Sequence, residues 1–357
     1  MERAHVVDWQ NGLSKYGGEI NFYIDRLRDN EVFEGVPVVH YEEIQDVGQY
    51  LIINCASTNF WNISEFLFEQ GIETVYHALE LLKVVPEDDK TAEMLDARQM
   101  YEHYVNKNNG SIYRLSIIIT EKCSLRCKFC TEYMPYISNV TDHFDISVCE
   151  KAVLNLLDAV GSLGSLMIQG GELFTHPKWA DFVTWCTKES RINKVTVLTN
   201  STIIPLNWEA LQNEKVLLAL DDYGHVSGKL ERIIEEAKKW KINYTIFKHE
   251  HWYDVAAYQY IEETEKERKE KFATCQIKGC WNISDGFLYR CTTSYYKMKY
   301  MLSKDMYKES DFIDLINSDT DQIRRQIEEI SKRKYIESCK YCVGTNNDNM
   351  ITAGEQV

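Results

Sequence analysis

From residue 112 onward, short apolar runs alternate with stretches in which apolar residues return every three to four positions. Tyr113–Ile119, Ser165–Ile168, Lys194–Leu198, Val216–Leu220 and Asn243–Phe247 read as strands, and Ser147–Val160, Trp179–Glu189, Trp208–Asn213 and Lys229–Trp240 as the helices between them. Such alternation implies parallel strands joined by right-handed crossovers. Five or more units curve into a partial barrel, with chemistry at the carboxyl ends of the strands. Beyond this series the rhythm stops. Tyr253 to Lys271 reads as one long charged helix, and Trp281–Ser284 and Phe287–Arg290 as a hairpin turning at Asp285-Gly286. Helical spacing over Asp311–Ile330 then leads to Cys339-Lys340-Tyr341-Cys342.

Before residue 90 the pattern is that of a smaller α/β unit: strands at Ile20–Asp25, Pro37–Val39, Leu51–Asn54 and Thr74–Tyr76, with a helix over Phe60–Gln70. No Gly-x-Gly-x-x-Gly loop is present, and Gly17-Gly18 is too little for a dinucleotide site. With Asp25 closing one strand and Gly35-Val36-Pro37-Val38 opening the next, the unit resembles truncated Rossmann-like domains appended to sugar-modifying enzymes; a docking or scaffold role without ligand is the alternative. The acidic, turn-prone run Pro86 to Lys90 marks a boundary, followed by helical spacing over Thr91–Val105. The expected organisation is thus residues 1–88, a barrel over 108–255 and a cysteine-framed module over 256–357.

Composition narrows the function classes. With 44% hydrophobic and 27% charged residues, the 357-residue chain has ordinary globular usage. Its formal charge of -15 repels phosphate backbones, and basic runs such as Lys266-Glu267-Arg268-Lys269 are short, so nucleic acid is not an expected partner. No stretch is apolar enough for a membrane span and Met1 to Trp9 lacks the apolar core of a signal peptide, which implies a cytoplasmic protein that does not engage a membrane. Eleven cysteines in a reducing compartment make a poor disulfide framework; short spacings among them point to metal ligation. Cys55, Cys149 and Cys186 fall in strand or helix patterns and are expected in the core.

Cys123-x3-Cys127-x2-Cys130 follows the first barrel strand, where a loop can wrap thiolates around a metal centre. Soft thiolates select zinc or iron-sulfur clusters, and a missing fourth protein ligand leaves one metal open to a small chelate. A zinc knuckle is the alternative; it wants a fourth Cys or His, and His143 is distant. The spacing, with Phe129 before the last cysteine, resembles the radical S-adenosylmethionine (SAM) superfamily. That resemblance implies three cysteines on a 4Fe-4S cluster whose fourth iron takes the amino and carboxylate groups of SAM. Gly170-Gly171-Glu172, after the second strand, resembles the superfamily's GGE motif, whose glycines let the backbone approach the methionine ammonium while Glu172 accepts from it. Thr199-Asn200-Ser201 resembles the TNG segment lining the SAM site, with serine for glycine. Asp221 and Asp222, ending the fourth strand, can meet ribose hydroxyls or substrate.

Cys275, Cys280, Cys291, Cys339 and Cys342 supply a second set of thiols. Cys275-x10-Gly286-x4-Cys291 resembles the opening of SPASM and twitch auxiliary-cluster modules, and Cys339-x2-Cys342 their closing pair. A twitch-like module with a second 4Fe-4S cluster is implied, with Cys275 favoured over Cys280; structural zinc is the alternative. The resemblance implies reductive SAM cleavage to a 5'-deoxyadenosyl radical, an electron donor such as flavodoxin or ferredoxin, and oxidation or rearrangement of a small polar sugar- or cyclitol-like substrate. Peptide modification and radical epimerisation, with Cys280 as hydrogen donor, are the enzymatic alternatives, and a zinc-stabilised scaffold the non-enzymatic one. Tyr133, Tyr136, His143, Asp222, Trp252, Tyr253 and Arg290 fall at the expected loop mouths.

Overall fold

The computed structural model divides into two compact units, Met1–Asn108 and Asn109–Val357. It describes residues 19–24, 31–33, 35–39, 43–44, 50–54, 67, 72 and 75–77 of the first, and 112, 114–135, 143–255, 260–275, 277–300, 311–345 and 350–357 of the second. In the first unit β1 (Tyr23–Ile24) runs parallel to β3 (Val36–Val39), and β2 (Glu31–Phe33), which the hydrophobic pattern does not announce, pairs antiparallel with β3. Gly35, with φ of +80°, makes the tight turn between β2 and β3. A separate parallel pair joins β4 (Ile52–Asn54) and β5 (Val75–His77), and Ile52, Leu67 and Ile72 form a small buried cluster. Gly17-Gly18, Cys55, Tyr136, the segment 91–105 and most of the expected helix Phe60–Gln70 lie outside the described residues.

The second unit delivers the βα series. β6 (Arg114–Ile118), β7 (Leu163–Gln169), β8 (Ile192–Thr199), β9 (Val216–Asp222) and β10 (Tyr244–Lys248) lie side by side in chain order, every pair parallel. α1 (Ile146–Val160), α2 (Trp179–Lys188) and α3 (Leu230–Lys239) form three of the crossovers, while Trp208–Leu211 is only a 3-10 turn where a helix is expected. The series is followed by β11 (His251–Tyr253), α4 (Glu265–Thr274), β12 (Trp281–Ser284), β13 (Phe287–Tyr289), α5 (Ser294–Tyr300), β14 (Phe312–Asp314), α6 (Thr320–Lys332) and β15 (Met350–Thr352).

The main sheet runs β10-β9-β8-β7-β6-β12-β13-β14 and stays open, as a partial barrel does. The hairpin that the sequence pattern places in a separate module is therefore part of this sheet, with β12 parallel to β6. All four residues of β12 are buried, so it needs cover on both faces. Ser116 Oγ secures the seam, donating to Trp281 O at 3.2 Å and approaching Asn282 Oδ1 at 3.0 Å.

Two helices begin later than their hydrophobic spacing suggests. Thr264 and Glu267 form a reciprocal capping box that starts α4, and Tyr253 belongs to β11 instead of the long helix expected there. Asp319 and Gln322 do the same for α6, leaving Phe312–Asp314 as a strand. A capping box satisfies two orphan N–H groups, which outweighs a loosely periodic apolar pattern. Cys149 and Cys186 lie fully buried in the core that α1 and α2 make with β6 to β9, and burial pushes both thiols up. Among the described residues no helix is long and apolar enough to cross a membrane.

Candidate active site

The loop leaving β6 is held in place by main-chain bonds before any metal is considered. Gly171 N donates to Thr120 O at 3.0 Å and Glu172 N to Lys122 O at 2.7 Å, so the loop after β7 is zipped onto the loop that carries Cys123. A Cβ at Gly170 would stand 2.4 Å from Thr120 O, and one at Gly171 2.5 Å from Lys122 O and 2.8 Å from Cys123 Cβ. In this structure the two glycines are thus required by the cysteine loop itself.

Cys123 Sγ lies 3.1 Å from Gly171 O and accepts from Leu125 N at 3.4 Å and Asn200 Nδ2 at 3.6 Å. Cys127 accepts from Gln356 Nε2 at 3.0 Å, and the C-terminal strand continues alongside: Lys128 N donates to Glu355 O at 2.6 Å and Val357 N to Arg126 O at 3.0 Å. Cys130 N donates to Cys127 O at 3.2 Å, closing a turn in which Phe129 takes φ of +59°. Burial pushes all three thiols up, Cys130 to about 12, with Glu132 adding to the shift at Cys130.

Glu172 is 1% exposed. Its carboxylate accepts from Phe174 N at 3.1 Å, Thr199 Oγ1 at 2.9 and 3.0 Å and Asn200 N at 2.9 Å. Burial pushes it up to about 7 against the pull of these bonds. The sequence pattern sets Glu172 against the SAM ammonium; the structure turns it inward, as a clamp between the loops after β7 and β8. Asn200 reaches forward instead, donating to Ser124 Oγ at 3.3 Å. Asp221 receives Tyr223 Oη at 3.1 Å and lies 2.7 Å from His249 Nε2, whereas Asp222 caps its own turn through Gly224 N at 2.8 Å.

Among the described residues, the second set of thiols shares one region of the fold without being closed up as a metal-binding set. Cys291 is within electrostatic reach of Cys275, Cys280, Cys339 and Cys342. Cys275 further senses Cys342, while Cys280 senses Cys275 and Arg114. Burial pushes Cys275 up to about 11 and Cys280 to about 12. Tyr133 stands between the two sets: it is 1% exposed, lies three residues past Cys130, and its phenol is pushed up by burial and by Cys342 and Cys291.

No protein-family model matches the chain. Over 149 residues it is 24% identical to GTP 3',8-cyclase of Syntrophomonas wolfei subsp. wolfei; the match takes in 40% of this chain and 44% of that relative, less than half its length. Among solved structures it is similar to native anSMEcpe with bound AdoMet and Cp18Cys peptide (TM-score 0.43, 16% identity, 68% of this chain and 92% of that one). It is also similar to BtrN in complex with AdoMet and 2-DOIA (TM-score 0.41, 13% identity, 69% and 97%). The three-cysteine loop, the paired glycines and the Thr-Asn turn stand at successive strand ends, and with the sequence match they make the chain similar to radical SAM enzymes.

In a radical SAM protein the first loop has to hold an iron-sulfur cluster, and its chemistry fits. Among the described residues no three Cys, His, Asp or Glu side chains are closed up as a metal-binding set. The loop nevertheless offers three thiols and no fourth ligand, and the N–H groups of Leu125, Asn200 and Gln356 already point at sulfur, as they do around cluster thiolates. Gln356 and His249 escape sequence reasoning, since nothing local links them to Cys127 or Asp221.

Other candidates have structural work. His143 Nδ1 lies 2.8 Å from Thr120 Oγ1, and Trp252 packs edge-on against Tyr223. Arg290, expected at the substrate mouth, donates to Ile330 O at 2.6 Å and Arg333 O at 2.9 Å over the Phe272 ring; burial lowers it to about 10. It closes the end of α6, because those carbonyls need a donor.

Ser201 occupies the position of the motif's glycine with φ of +61°, and its buried Oγ has no hydrogen-bond partner among the described residues. Left-handed backbone costs an L-residue about 1–2 kcal/mol, of which glycine's extra unfolded-state entropy takes back about 0.5–1 kcal/mol. Ser201→Gly is expected to stabilise the protein by about 1 kcal/mol, raising the melting temperature by about 2–4 °C. A melt showing no rise would mean that the hydroxyl has a role in the folded state.

Proposed function

We propose that the chain cleaves SAM reductively at a site built on Cys123, Cys127 and Cys130, and directs the resulting radical at a polar metabolite of sugar or cyclitol type, oxidising or rearranging it. The observation that carries this reading is the loop after β6: three thiols, no fourth ligand, and N–H donors already aimed at sulfur. When bound, the cluster and SAM supply the one-electron cleavage that yields methionine and a 5'-deoxyadenosyl radical.

The chain's own residues then position and screen. Glu172 ties the loops after β7 and β8 together, and Gln356 spreads negative charge from the Cys127 sulfur through its N–H. Asp221, oriented by His249 and Tyr223, stands at the end of β9 where a hydroxyl-bearing ligand needs an acceptor. Glu121, beyond the end of β6, gathers Tyr295, Lys299 and Tyr300 at 2.8–3.0 Å. Asp221, with its His249 and Tyr223 partners, is the group that supports a polar substrate.

Cys291, Cys339 and Cys342, with Cys275 in preference to Cys280, would hold a second cluster that withdraws an electron from the substrate radical. The spacing Cys275-x10-Gly286-x4-Cys291 supports that preference. A flavodoxin or ferredoxin is the expected reductant of the first cluster. Radical epimerisation is the second reading, favoured by the surplus thiol of Cys280. The test is anaerobic reconstitution: about eight irons per chain and 5'-deoxyadenosine formed with dithionite and SAM. Zinc, or iron without nucleoside, sinks the proposal.

A further inference from the structure

Lys297 is 0% exposed and its Nζ has no hydrogen-bond partner among the described residues. An ammonium shut away from water without a counter-ion is costly enough that a buried cation is normally found beside an anion. Its place on α5 indicates where that anion belongs. The helix starts directly after Cys291, with Ser294 N donating to Cys291 O at 3.1 Å. Ser294 Oγ is hydrogen-bonded to Ser338 Oγ at 2.7 Å, so this face of α5 looks toward the turn bearing Cys339 and Cys342. Lys297, three residues on, shares that face.

The opposite side of α5 is already balanced. Glu121 takes Lys299 Nζ at 2.9 Å together with the hydroxyls of Tyr295 and Tyr300.

We propose that Lys297 is the internal counter-charge of the metal cluster held by Cys291, Cys339, Cys342 and Cys275, and that it raises the reduction potential of that cluster. This rests on reading those cysteines as cluster ligands. A four-thiolate cluster is anionic and gains a further negative charge on reduction, so a nearby buried cation stabilises the reduced form more.

The test uses the full chain with Cys123, Cys127 and Cys130 replaced by alanine, which leaves only the second site. After anaerobic reconstitution this parent is expected to hold about four irons, and its midpoint is read by dithionite titration followed by electron paramagnetic resonance. Lys297→Met is expected to keep its iron and to show at least tenfold less reduced cluster at a given potential, a midpoint about 59 mV lower for one electron. Lys297→Arg should stay close to the parent. An unchanged midpoint in Lys297→Met overturns the assignment. Iron lost from Lys297→Met but retained by Lys297→Arg supports it, because the charge is then needed for assembly; iron lost from both marks Lys297 as a packing residue and overturns it. A parent that takes up zinc or no iron sinks the cluster reading before any variant is compared, and the counter-charge falls with it.

Discussion

Replacing Cys123, Cys127 and Cys130 together with alanine is expected to abolish formation of 5'-deoxyadenosine and to lower bound iron from about eight to about four per chain. The expectation is all-or-none because the triple change removes every thiol of that loop. Folding should survive: each change removes one buried sulfur, worth about 1 kcal/mol of transfer free energy, and leaves the bonds from Gly171 N, Glu172 N and Lys128 N in place. Circular dichroism and the melting profile therefore separate loss of chemistry from loss of fold. Nucleoside still produced by the triple variant would place SAM cleavage elsewhere.

Gly171→Ala should be nearly as damaging, although it removes no ligand. The added Cβ meets Lys122 O at 2.5 Å, Lys122 C at 2.7 Å and Cys123 Cβ at 2.8 Å. Two of these atoms are backbone and cannot rotate away, so the cysteine loop must shift. Overpacking of this kind costs about 1–3 kcal/mol, and a displacement of about 1 Å at a reacting centre lowers rate by about 100-fold. The expected result is a drop of that order in nucleoside formation, with partial loss of iron from the first site. Gly279→Ala is the control, since nothing lies within 4 Å of its Cβ. Parental iron and parental rate in Gly171→Ala would show that the loop tolerates the shift.

The strand-helix order from β6 to β10 was legible because parallel strands covered on both faces must be nearly continuous apolar runs. The cysteine loop stands out for a related reason: three thiols within eight residues, from Cys123 to Cys130, are a matter of spacing alone. Even the serine in Thr199-Asn200-Ser201 could be recognised as an irregularity, and its φ of +61° shows what that position demands.

Other features had no local signature. β12 reads as half of an isolated hairpin, yet it pairs with β6 across 166 positions, since only the assembled sheet supplies a second covering face. Gln356 reaches Cys127 across 229 positions, through strand-like pairing between segments that carry no shared pattern. The motif resemblance points Glu172, and a loop-mouth position points Arg290, toward ligands; in the fold Arg290 also answers the carbonyls ending α6, and Glu172 the donors of the neighbouring loop.

Local spacing thus accounts for the parallel run from β6 to β10 and for the expectation placed on the three-thiol loop. Which carboxylate clamps a loop, which cation is left without a partner and which tail residue touches a sulfur were settled only on folding. Hydrogen bonds and charge compensation depend on what long-range packing brings within about 3 Å, and that distance is not written in the neighbouring residues.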